Sequence, residues 1–267
     1  MANVLTTDGL SKRFGGLVAV NGLDFHAEDR ETVGIIGPNG SGKTTFFNLL
    51  TGMFRPSAGR ITFMNRDVTG ARPEQRVSAG MVRTFQLVSV FNSLRVWENL
   101  VLSVTRFGGA RCSPGRFMTS PADDDAIRRR CDDALRLVGL HEKSDYMTSE
   151  LSYGDKRLLE IAIALSLRPR LLLLDEPLSG LGDVEIVDVL NLLRKVKSEV
   201  TMVIIEHKVS TVIDLVDRLC VMNEGRIVSE GEPLKVLRDP AVQKCYWGKT
   251  DTPESAAREA PASVVES

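Results

Sequence analysis

Short apolar runs alternate along this chain with longer segments whose apolar residues recur at helical spacing. The runs richest in Val, Ile and Leu are "TVGIIG" (32–37), "GRITFM" (59–64), "RLLLLDE" (170–176), "VTMVIIE" (200–206) and "RLCVMNEG" (218–225). Their lengths and the turn residues around them predict β-strands. Ile186, Leu190 and Leu193 follow i, i+4, i+7 spacing and predict a helix over 183–197. Strands that alternate with helices predict an α/β fold with a largely parallel sheet.

The segment from about 87 to 167 has a different pattern, because most of it follows helical spacing. We therefore predict that 87–167 is a helical subdomain inserted into the α/β domain. Within it, the Gly, Pro and Ser residues of 107–121 predict a flexible loop. The small and polar residues of 252–267 predict a disordered tail.

Composition narrows the class of protein. With 267 residues and 43% hydrophobic content, the chain can bury one large core, or a main domain with a smaller one attached. Its formal net charge of −1 provides no broad basic field for nucleic acid. The four cysteines lack metal-ligand spacing and suggest no disulfide framework, which fits a reducing compartment. We find no signal peptide and no apolar run near the roughly 20 residues of a membrane span. We therefore expect a cytoplasmic protein that reaches a membrane only through a partner.

The stretch "GPNGSGKTT" (37–45) carries the clearest candidate chemistry. It follows a predicted strand, opens a predicted helix, and matches G-x-x-x-x-G-K-[ST] through Gly37, Gly42, Lys43 and Thr44. Such glycines let backbone N–H groups turn toward phosphate oxygens, and the helix N-terminus adds partial positive charge. Lys43 supplies a full charge, and the Thr44 hydroxyl suits Mg²⁺. The strand and helix around the motif favour a nucleotide site over an ordinary glycine-rich turn. The other loop residues are Pro38, Asn39, Gly40, Ser41 and Thr45.

Acidic and polar residues follow two later strands. Asp175 and Glu176 end an apolar run, and they point to opposite faces if the strand continues through them. One of the two carboxylates can reach a Mg²⁺ ion, and the other can orient a water for attack on a terminal phosphate. His207 follows the next strand, where a histidine is either structural or a donor to the γ-phosphate. Gln86 is a weaker candidate, as a ligand of Mg²⁺ or a contact to water.

The stretch "LSYGD" (151–155) opens an apolar segment with helical spacing. Ser152 can cap that helix, with Asp155 three residues later as in a capping box. A capped helix N-terminus with Gly154 in its first turn can seat an anion. By itself, however, the stretch also fits a plain surface helix.

The order of these features resembles the ATP-binding cassette (ABC) family over about residues 4–240. The resemblance rests on the phosphate loop, Gln86, "LSYGD", the strand that ends at Asp175 and Glu176, and the strand before His207. It implies a P-loop NTPase fold of the ABC ATPase type, ATP hydrolysis, and ATP and Mg²⁺ as cofactors. Residues 241–267 are then a C-terminal extension, predicted to be disordered from about 250.

The resemblance also implies a role for each matching residue. Phe14 resembles the aromatic residue that stacks on adenine, and Lys43 the phosphate lysine. Thr44, Gln86 and Asp175 resemble the magnesium residues, Gln86 being also the coupling residue. Glu176 resembles the catalytic base and His207 the switch histidine. Two cassettes stack head to tail in this family, so that Ser152 and Gly154 would bind the γ-phosphate of an ATP held by another protomer.

The chain departs from the family pattern at Gly182. After "LSGL" the family usually has Asp or Asn, and here Gly182 is followed by Asp183. That position helps to couple the two sites of the dimer, so the departure concerns this coupling and not ATP binding.

Finer features resemble the ATP-binding subunits of bacterial branched-chain amino-acid importers. They are "LSKRFGGLVAVNGL" (10–23), "GMVRTFQL" (80–87), "LSYGDKRLLEIAIAL" (151–165), "VIIEHKVSTVIDLVDRLCVMNEGRIVSEG" (203–231) and "VQKCYWG" (242–248). The implied partners are a second cassette, integral membrane permease subunits and, indirectly, a solute-binding protein, with no nucleic acid. The implied location is cytoplasmic, on the inner face of the cell membrane. Cassettes that move urea, short amides or lipopolysaccharide share several of these features and stay as alternatives.

Two further alternatives belong to other classes of protein. A nucleotide kinase would need an acceptor pocket and a lid, and it would leave "LSYGD" unexplained. A regulatory ATPase would keep every motif but have no permease. If the chain is a transporter subunit, we expect an apolar groove at 87–100 that receives a permease helix. Its residues would be Val90, Phe91, Leu94 and Trp97. Alternatively, these residues only pack the core of the subdomain.

Overall fold

The computed structural model describes residues 2–85, 88–107, 125–207 and 209–247. The strands of this part are β1 (Asn3–Phe14), β2 (Leu17–Glu28), β3 (Thr32–Ile36), β4 (Ala58–Phe63), β5 (Arg66–Asp67), β6 (Met81–Arg83), β7 (Leu171–Asp175), β8 (Thr201–Ile205), β9 (Arg218–Asn223) and β10 (Arg226–Gly231). The α-helices are α1 (Lys43–Leu50), α2 (Pro73–Ser78), α3 (Val96–Phe107), α4 (Asp125–Leu137), α5 (Tyr153–Ser166), α6 (Asp183–Val196), α7 (Val209–Val212), α8 (Pro233–Leu237) and α9 (Pro240–Trp247).

The central sheet has the strand order β10-β9-β3-β8-β7-β6. Every neighbouring pair in it is parallel except β10 with β9. Strands β3, β7 and β8 are buried along their whole length, because protein covers both faces of the sheet. This explains why these strands form continuous apolar runs in the sequence. The predicted α/β fold with a largely parallel sheet is confirmed.

A second, antiparallel sheet has the order β2-β1-β4-β5. The predicted strand at 59–64 corresponds to β4, which pairs with β1 and lies outside the parallel sheet. The long strands β1 and β2 were not among the predicted strands. They form a hairpin through Gly15 and Gly16, with Phe14 opposite Leu17 at its closed end.

The central sheet separates two hydrophobic cores. Leu171 and Leu173 of β7 pack with α1 and the antiparallel sheet. Leu172 and Leu174, on the opposite face, pack in the core that contains helices α3 to α6. The alternation of side chains along one strand therefore joins the two halves of the molecule.

Helices α3, α4 and α5 lie between β6 and β7 in the chain. Short 3-10 turns at His141–Lys143 and Thr148–Glu150 precede α5. Residues 108–121 of the predicted loop and all of the predicted disordered tail lie outside the described residues. Within the part that the structure describes, no helix combines the length and the apolar character needed to cross a membrane.

Candidate active site

The candidate site lies at the carboxyl ends of the parallel strands. The phosphate loop follows β3, Glu206 and His207 follow β8, and Glu176 follows β7. Strands β3, β8 and β7 are neighbours in the sheet, so their carboxyl ends meet at one edge. This edge is where parallel α/β sheets bind their ligands.

Close backbone contacts require the glycines of the phosphate loop. Gly37 has φ 155° and Gly42 has φ 104°. A Cβ atom at residue 37 would lie 2.1 Å from the carbonyl oxygen of Met222, and one at residue 42 would lie 2.3 Å from that of Ala19. Strands β9 and β2 therefore hold the loop from two sides, and only glycine fits between them.

Lys43 is the first residue of α1, and its side chain folds back over the loop. Its Nζ donates to the carbonyl oxygens of Gly37 at 2.7 Å and Pro38 at 3.1 Å. Burial lowers the pKa of the amine, and the negative charges of Glu176 and Asp175 oppose that effect. The cation is thus placed between the loop and the two carboxylates.

The first turn of α1 is accessible to an anion. Thr44 is exposed, as are Asn39 and Gly40 at the tip of the loop. Within the described residues, no side chain caps this end of α1. Its backbone N–H groups and dipole are therefore available to phosphate oxygens.

Asp175 and Glu176 are both buried but contact different partners. Asp175 Oδ2 accepts a hydrogen bond from Arg83 Nη2 at 2.6 Å. Glu176 adopts the left-handed backbone conformation, with φ 48°, and its Oε1 lies 2.7 Å from His207 Nε2. The structure therefore brings together Asp175, Glu176 and His207 beside Lys43.

The start of α5 has the predicted helix cap but not the complete capping box. Ser152 Oγ accepts a hydrogen bond from the backbone N–H of Asp155 at 3.0 Å, as predicted. The Asp155 carboxylate, however, binds Lys143 Nζ at 2.6 Å. Lys143 belongs to the 3-10 turn before α5, and it offers the carboxylate a charged partner.

Gly154 lies against the start of α6. A Cβ atom at residue 154 would lie 2.2 Å from Glu185 Oε1, while Glu185 Oε2 accepts from the backbone N–H of Gly182 at 2.9 Å. Glu185 thus satisfies the N–H of Gly182, whereas the glycine has no side chain to cap the first turn of α6. Among the residues that the structure describes, no hydrogen bond or ion pair joins Ser152 or Gly154 to the phosphate loop.

Phe14 lies at the closed end of the β1–β2 hairpin and is 43% exposed. Its ring packs edge-on against Phe54, and Lys12 Nζ lies 5.0 Å from its centroid. The same hairpin touches the phosphate loop at Ala19, so Phe14 is carried by an element of the site. Gln86 lies outside the described residues, and β6 ends before it, at Arg83.

Sequence reasoning missed a buried ion pair that joins α5 to this site. Arg157 Nη1 donates to Glu160 Oε2 at 2.7 Å and to the carbonyl oxygen of Phe85 at 2.8 Å. Glu160 Oε1 accepts from the N–H of Phe85 at 3.1 Å, and Arg157 Nη2 lies 3.3 Å from the carbonyl oxygen of Glu176. Burial raises the pKa of Glu160, opposed by these hydrogen bonds and by the Arg157 charge. The available signal was an Arg and a Glu three residues apart within the apolar part of the helix.

Comparison with known proteins agrees with this geometry. The family model described as ABC transporter matches residues 20–179. The chain is 38% identical over 251 residues to the high-affinity branched-chain amino acid transport ATP-binding protein BraF of Pseudomonas aeruginosa, covering 92% of this chain and 98% of the relative. It is 36% identical over 255 residues to the corresponding protein LivG of Escherichia coli (strain K12), again covering 92% and 98%.

Solved structures share the fold. A nucleotide-free ATP-binding cassette from an ABC transporter matches with a TM-score of 0.80 and 31% identity, covering 92% of this chain and 99% of that one. The ADP conformation of an ATP-binding cassette of an ABC transporter matches with a TM-score of 0.82 and 32% identity, covering 93% and 100%.

Fold and site together define a P-loop ATPase of the cassette type. The chain belongs to the ABC transporter family. Within that family it is a nucleotide-binding, ATP-hydrolysing subunit, as predicted from the sequence.

Proposed function

We propose that this subunit powers the import of branched-chain or related amino acids. Its support is the likeness to BraF and LivG, whose names state that transport. Urea, short amides and lipopolysaccharide stay as alternative solutes, because the solute itself contacts a binding protein and the permease, not this chain. A nucleotide kinase is no longer an alternative, since the chain belongs to the ABC transporter family.

The observation that carries the proposed mechanism is the meeting of Lys43, Asp175, Glu176 and His207 at one edge of the sheet. We assign the loop 37–45 to the phosphates of ATP and Phe14 to adenine. Glu176 accepts a proton from the attacking water. His207 Nε2 lies within hydrogen-bond distance of Glu176 Oε1 and is assigned to orient this carboxylate and to contact the γ-phosphate.

The residues present fit a magnesium ion. Hydroxyl and carboxylate oxygens are the ligands that Mg²⁺ prefers, and Thr44 and Asp175 provide them, with Gln86 as the third assigned residue. No cluster of three or more His, Cys, Asp or Glu side chains that could hold a metal occurs in the described part of the chain, which suits an ion shared with nucleotide phosphates. When bound, Mg²⁺ neutralises phosphate charge.

An apolar groove provides a surface for a permease. Its volume is about 260 Å³, and it lies between the α/β core and helices α3 and α5. Its apolar lining includes Met53, Val77, Phe85, Phe107, Ile163 and Leu167.

The groove is not formed by the residues expected from the sequence. Val90 and Trp97 pack against the core of the helical part, and Phe91 is 57% exposed outside the groove lining. We therefore assign permease contact to the groove around Phe85. We further propose that the cassette pairs with a second one, so that Ser152 and Gly154 complete the partner's site. The assigned location is the cytoplasmic face of the membrane.

Two substitutions test the chemistry. Glu176→Gln is nearly isosteric but cannot accept the proton, so hydrolysis is expected to fall roughly 100-fold or more with ATP affinity kept. Lys43→Ala removes a charge-assisted contact, so ATP affinity itself is expected to fall roughly ten-fold or more. Fluorescent-nucleotide titration and phosphate release measure the two quantities.

Glu199→Gln is the matched control, because Glu199 is exposed beside the opposite end of β8. It should leave both quantities unchanged. Near-normal turnover in Glu176→Gln would remove Glu176 from its role. Copurification of intact permease subunits separates a transporter from a regulatory ATPase, which would bring none.

A further inference from the structure

Arg83 is the last residue of β6, the outermost strand of the central sheet, which pairs with β7. Its side chain is 6% exposed, and that of Asp175, its partner, is 3% exposed. Arg83 Nη2 donates to Asp175 Oδ2, and Arg83 Nη1 donates to Asn48 Oδ1, both at 2.6 Å. One guanidinium therefore joins the carboxylate after β7 to helix α1.

Two aromatic rings lie beside this guanidinium. Its carbon atom lies 5.5 Å from the ring centroid of Phe47 and 5.1 Å from that of Phe85. Both distances allow cation–π contact. The planar guanidinium reaches two acceptors at once from beside two rings, which a lysine ammonium reproduces poorly.

Helix α1 carries both Asn48, which binds Arg83, and Thr44, which is assigned to magnesium. Thr44 lies in its first turn, and Asn48 follows one turn later on the same helix. Through Asn48, Arg83 holds Asp175 at a fixed position relative to Thr44. Thr44 and Asp175 are the two described residues assigned above to magnesium. Asp175 Oδ1 accepts no hydrogen bond from any residue that the structure describes.

We propose that Arg83 is a positioning residue for the metal carboxylate, holding Asp175 by Oδ2 so that Oδ1 serves the magnesium ion bound with ATP. This inference rests on the proposed assignment of Asp175 to Mg²⁺. It adds a residue that the phosphate-loop and "LSYGD" patterns do not contain. Partners that orient a metal ligand typically change metal affinity by about 10- to 100-fold when they are removed.

Charge and position make opposite predictions for the loss of Arg83. A nearby positive charge repels a divalent cation, so its removal alone would strengthen metal binding. Loss of the hydrogen bonds frees the carboxylate to rotate and would weaken it. The direction of the change therefore separates positioning from simple electrostatics.

The experiment compares Arg83→Gln, Arg83→Lys and Asn48→Leu with the wild-type chain. Arg83→Lys keeps the charge without the fork, and Asn48→Leu keeps Arg83 but cuts its link to α1. Mn²⁺ affinity is measured by electron paramagnetic resonance with a non-hydrolysable ATP analogue bound. Affinity for the analogue alone is measured in excess chelator, and thermal unfolding is followed in parallel.

We expect Mn²⁺ affinity to fall roughly ten-fold or more in both Arg83 variants. It should also fall in Asn48→Leu. The affinity for the analogue without metal should change little in all three variants. Arg218→Gln is the matched control. It breaks a half-buried arginine–carboxylate pair with Glu31, at 2.7 Å, at the start of β9 and away from the phosphate loop. It should lower the unfolding temperature without changing Mn²⁺ affinity.

Unchanged or tighter Mn²⁺ binding in the Arg83 variants would overturn the inference. An equal loss of Mn²⁺ affinity in Arg218→Gln would also overturn it, because general destabilisation would then explain the effect. If Arg83→Gln does not fold, Arg83→Lys and Asn48→Leu decide the question. Failure of the proposed function has a different signature, because the wild-type chain would then bind the analogue without any effect of Mn²⁺.

Discussion

Glu206 is a buried carboxylate whose oxygens are bound by backbone amides. Oε1 accepts from Leu178 N at 3.0 Å, and Oε2 accepts from His207 N at 3.3 Å. Burial raises the pKa of Glu206, and the hydrogen bonds oppose this without cancelling it. At the residue scale, the site therefore contains a carboxyl group that holds its proton more tightly in the folded than in the unfolded chain.

The raised pKa of Glu206 predicts a pH dependence of stability. The folded state holds the proton more tightly than the unfolded state, so Glu206 contributes a decrease in the free energy of unfolding as pH rises from the ordinary value of 4.5 through the raised pKa. In Glu206→Gln this decrease is absent, and the variant gains stability relative to wild type with rising pH. Chemical unfolding between about pH 4.5 and 8 measures it. Parallel pH profiles for the two proteins would contradict the prediction, and exposed Glu199→Gln should give a parallel profile.

At the scale of elements, the phosphate-loop helix α1 is held at its far end by Arg76 of α2. The Arg76 guanidinium is buried and donates to the carbonyl oxygens of Leu49 and Leu50, the last residues of α1. It also binds those of Ala71 and Thr69. Burial lowers the pKa of Arg76 to about 10, so it stays charged at neutral pH and complements the negative end of the helix dipole.

Arg76→Met is expected to destabilise the protein by roughly 3 kcal/mol, because the buried carbonyls at the end of α1 lose a charged donor. Arg72→Ala is the control from the N-cap position of α2. Arg72 is exposed and pairs with Glu74 at 3.2 Å, so its loss should cost about 0.5 kcal/mol or less. Urea unfolding measures both values. Equal effects would show that the buried contacts of Arg76 contribute nothing beyond a surface pair.

The elements that sequence could predict are those with a locally complete pattern. Strands β3, β7 and β8 are buried on both faces, which makes their apolar runs continuous. Strands β1 and β2 were missed because their pairing shifts register, for example between Thr7 and Leu10, so no simple alternation survives. The phosphate loop and Asp175 could be predicted because their patterns are complete within a few consecutive residues. Arg83 was not, because its meaning depends on a partner 92 residues away.

At the scale of the whole molecule, the start of α5 belongs to a surface that a second cassette would complete. Ser152 and Tyr153 are exposed, whereas Gly154 behind them is buried against Glu185. A change at Gly154 would therefore disturb the packing of α6 as well as the proposed phosphate binding. Ser152 is the better place to test a shared site.

Ser152→Asp keeps a good helix cap but adds negative charge where phosphate is expected to bind. Alone, it and Lys43→Ala should each be nearly inactive. If "LSYGD" acts on the partner's ATP, a mixed dimer has one intact site, and equal mixing should leave about a quarter of all sites intact. Phosphate release from differently tagged copies, purified by both tags, measures the recovery, and half of the sites in this purified fraction of mixed dimers should be intact.

Ser152→Asn is the control for the charge in this test, because it keeps the cap without the charge and should retain more activity than Ser152→Asp. If every site uses its own "LSYGD", each site of a mixed dimer carries one lesion, and mixing restores nothing. No recovery in purified mixed dimers would therefore count against a site shared between two copies of this chain.

The contact between Gly154 and Glu185 also limits how this sequence can evolve. Any side chain gained at 154 must displace the carboxylate of Glu185, which is also the cap of α6 through Gly182 N. Substitutions at residues 154 and 185 are therefore not additive, because both change the position of the same carboxylate. A larger residue at 154 is therefore tolerated best when the side chain at 185 is shorter or turns away, and a capping side chain at 182 would offset the lost contact of Glu185. The substitutions tolerated at Gly154, within "LSYGD", thus depend on which residues occupy positions 182 and 185.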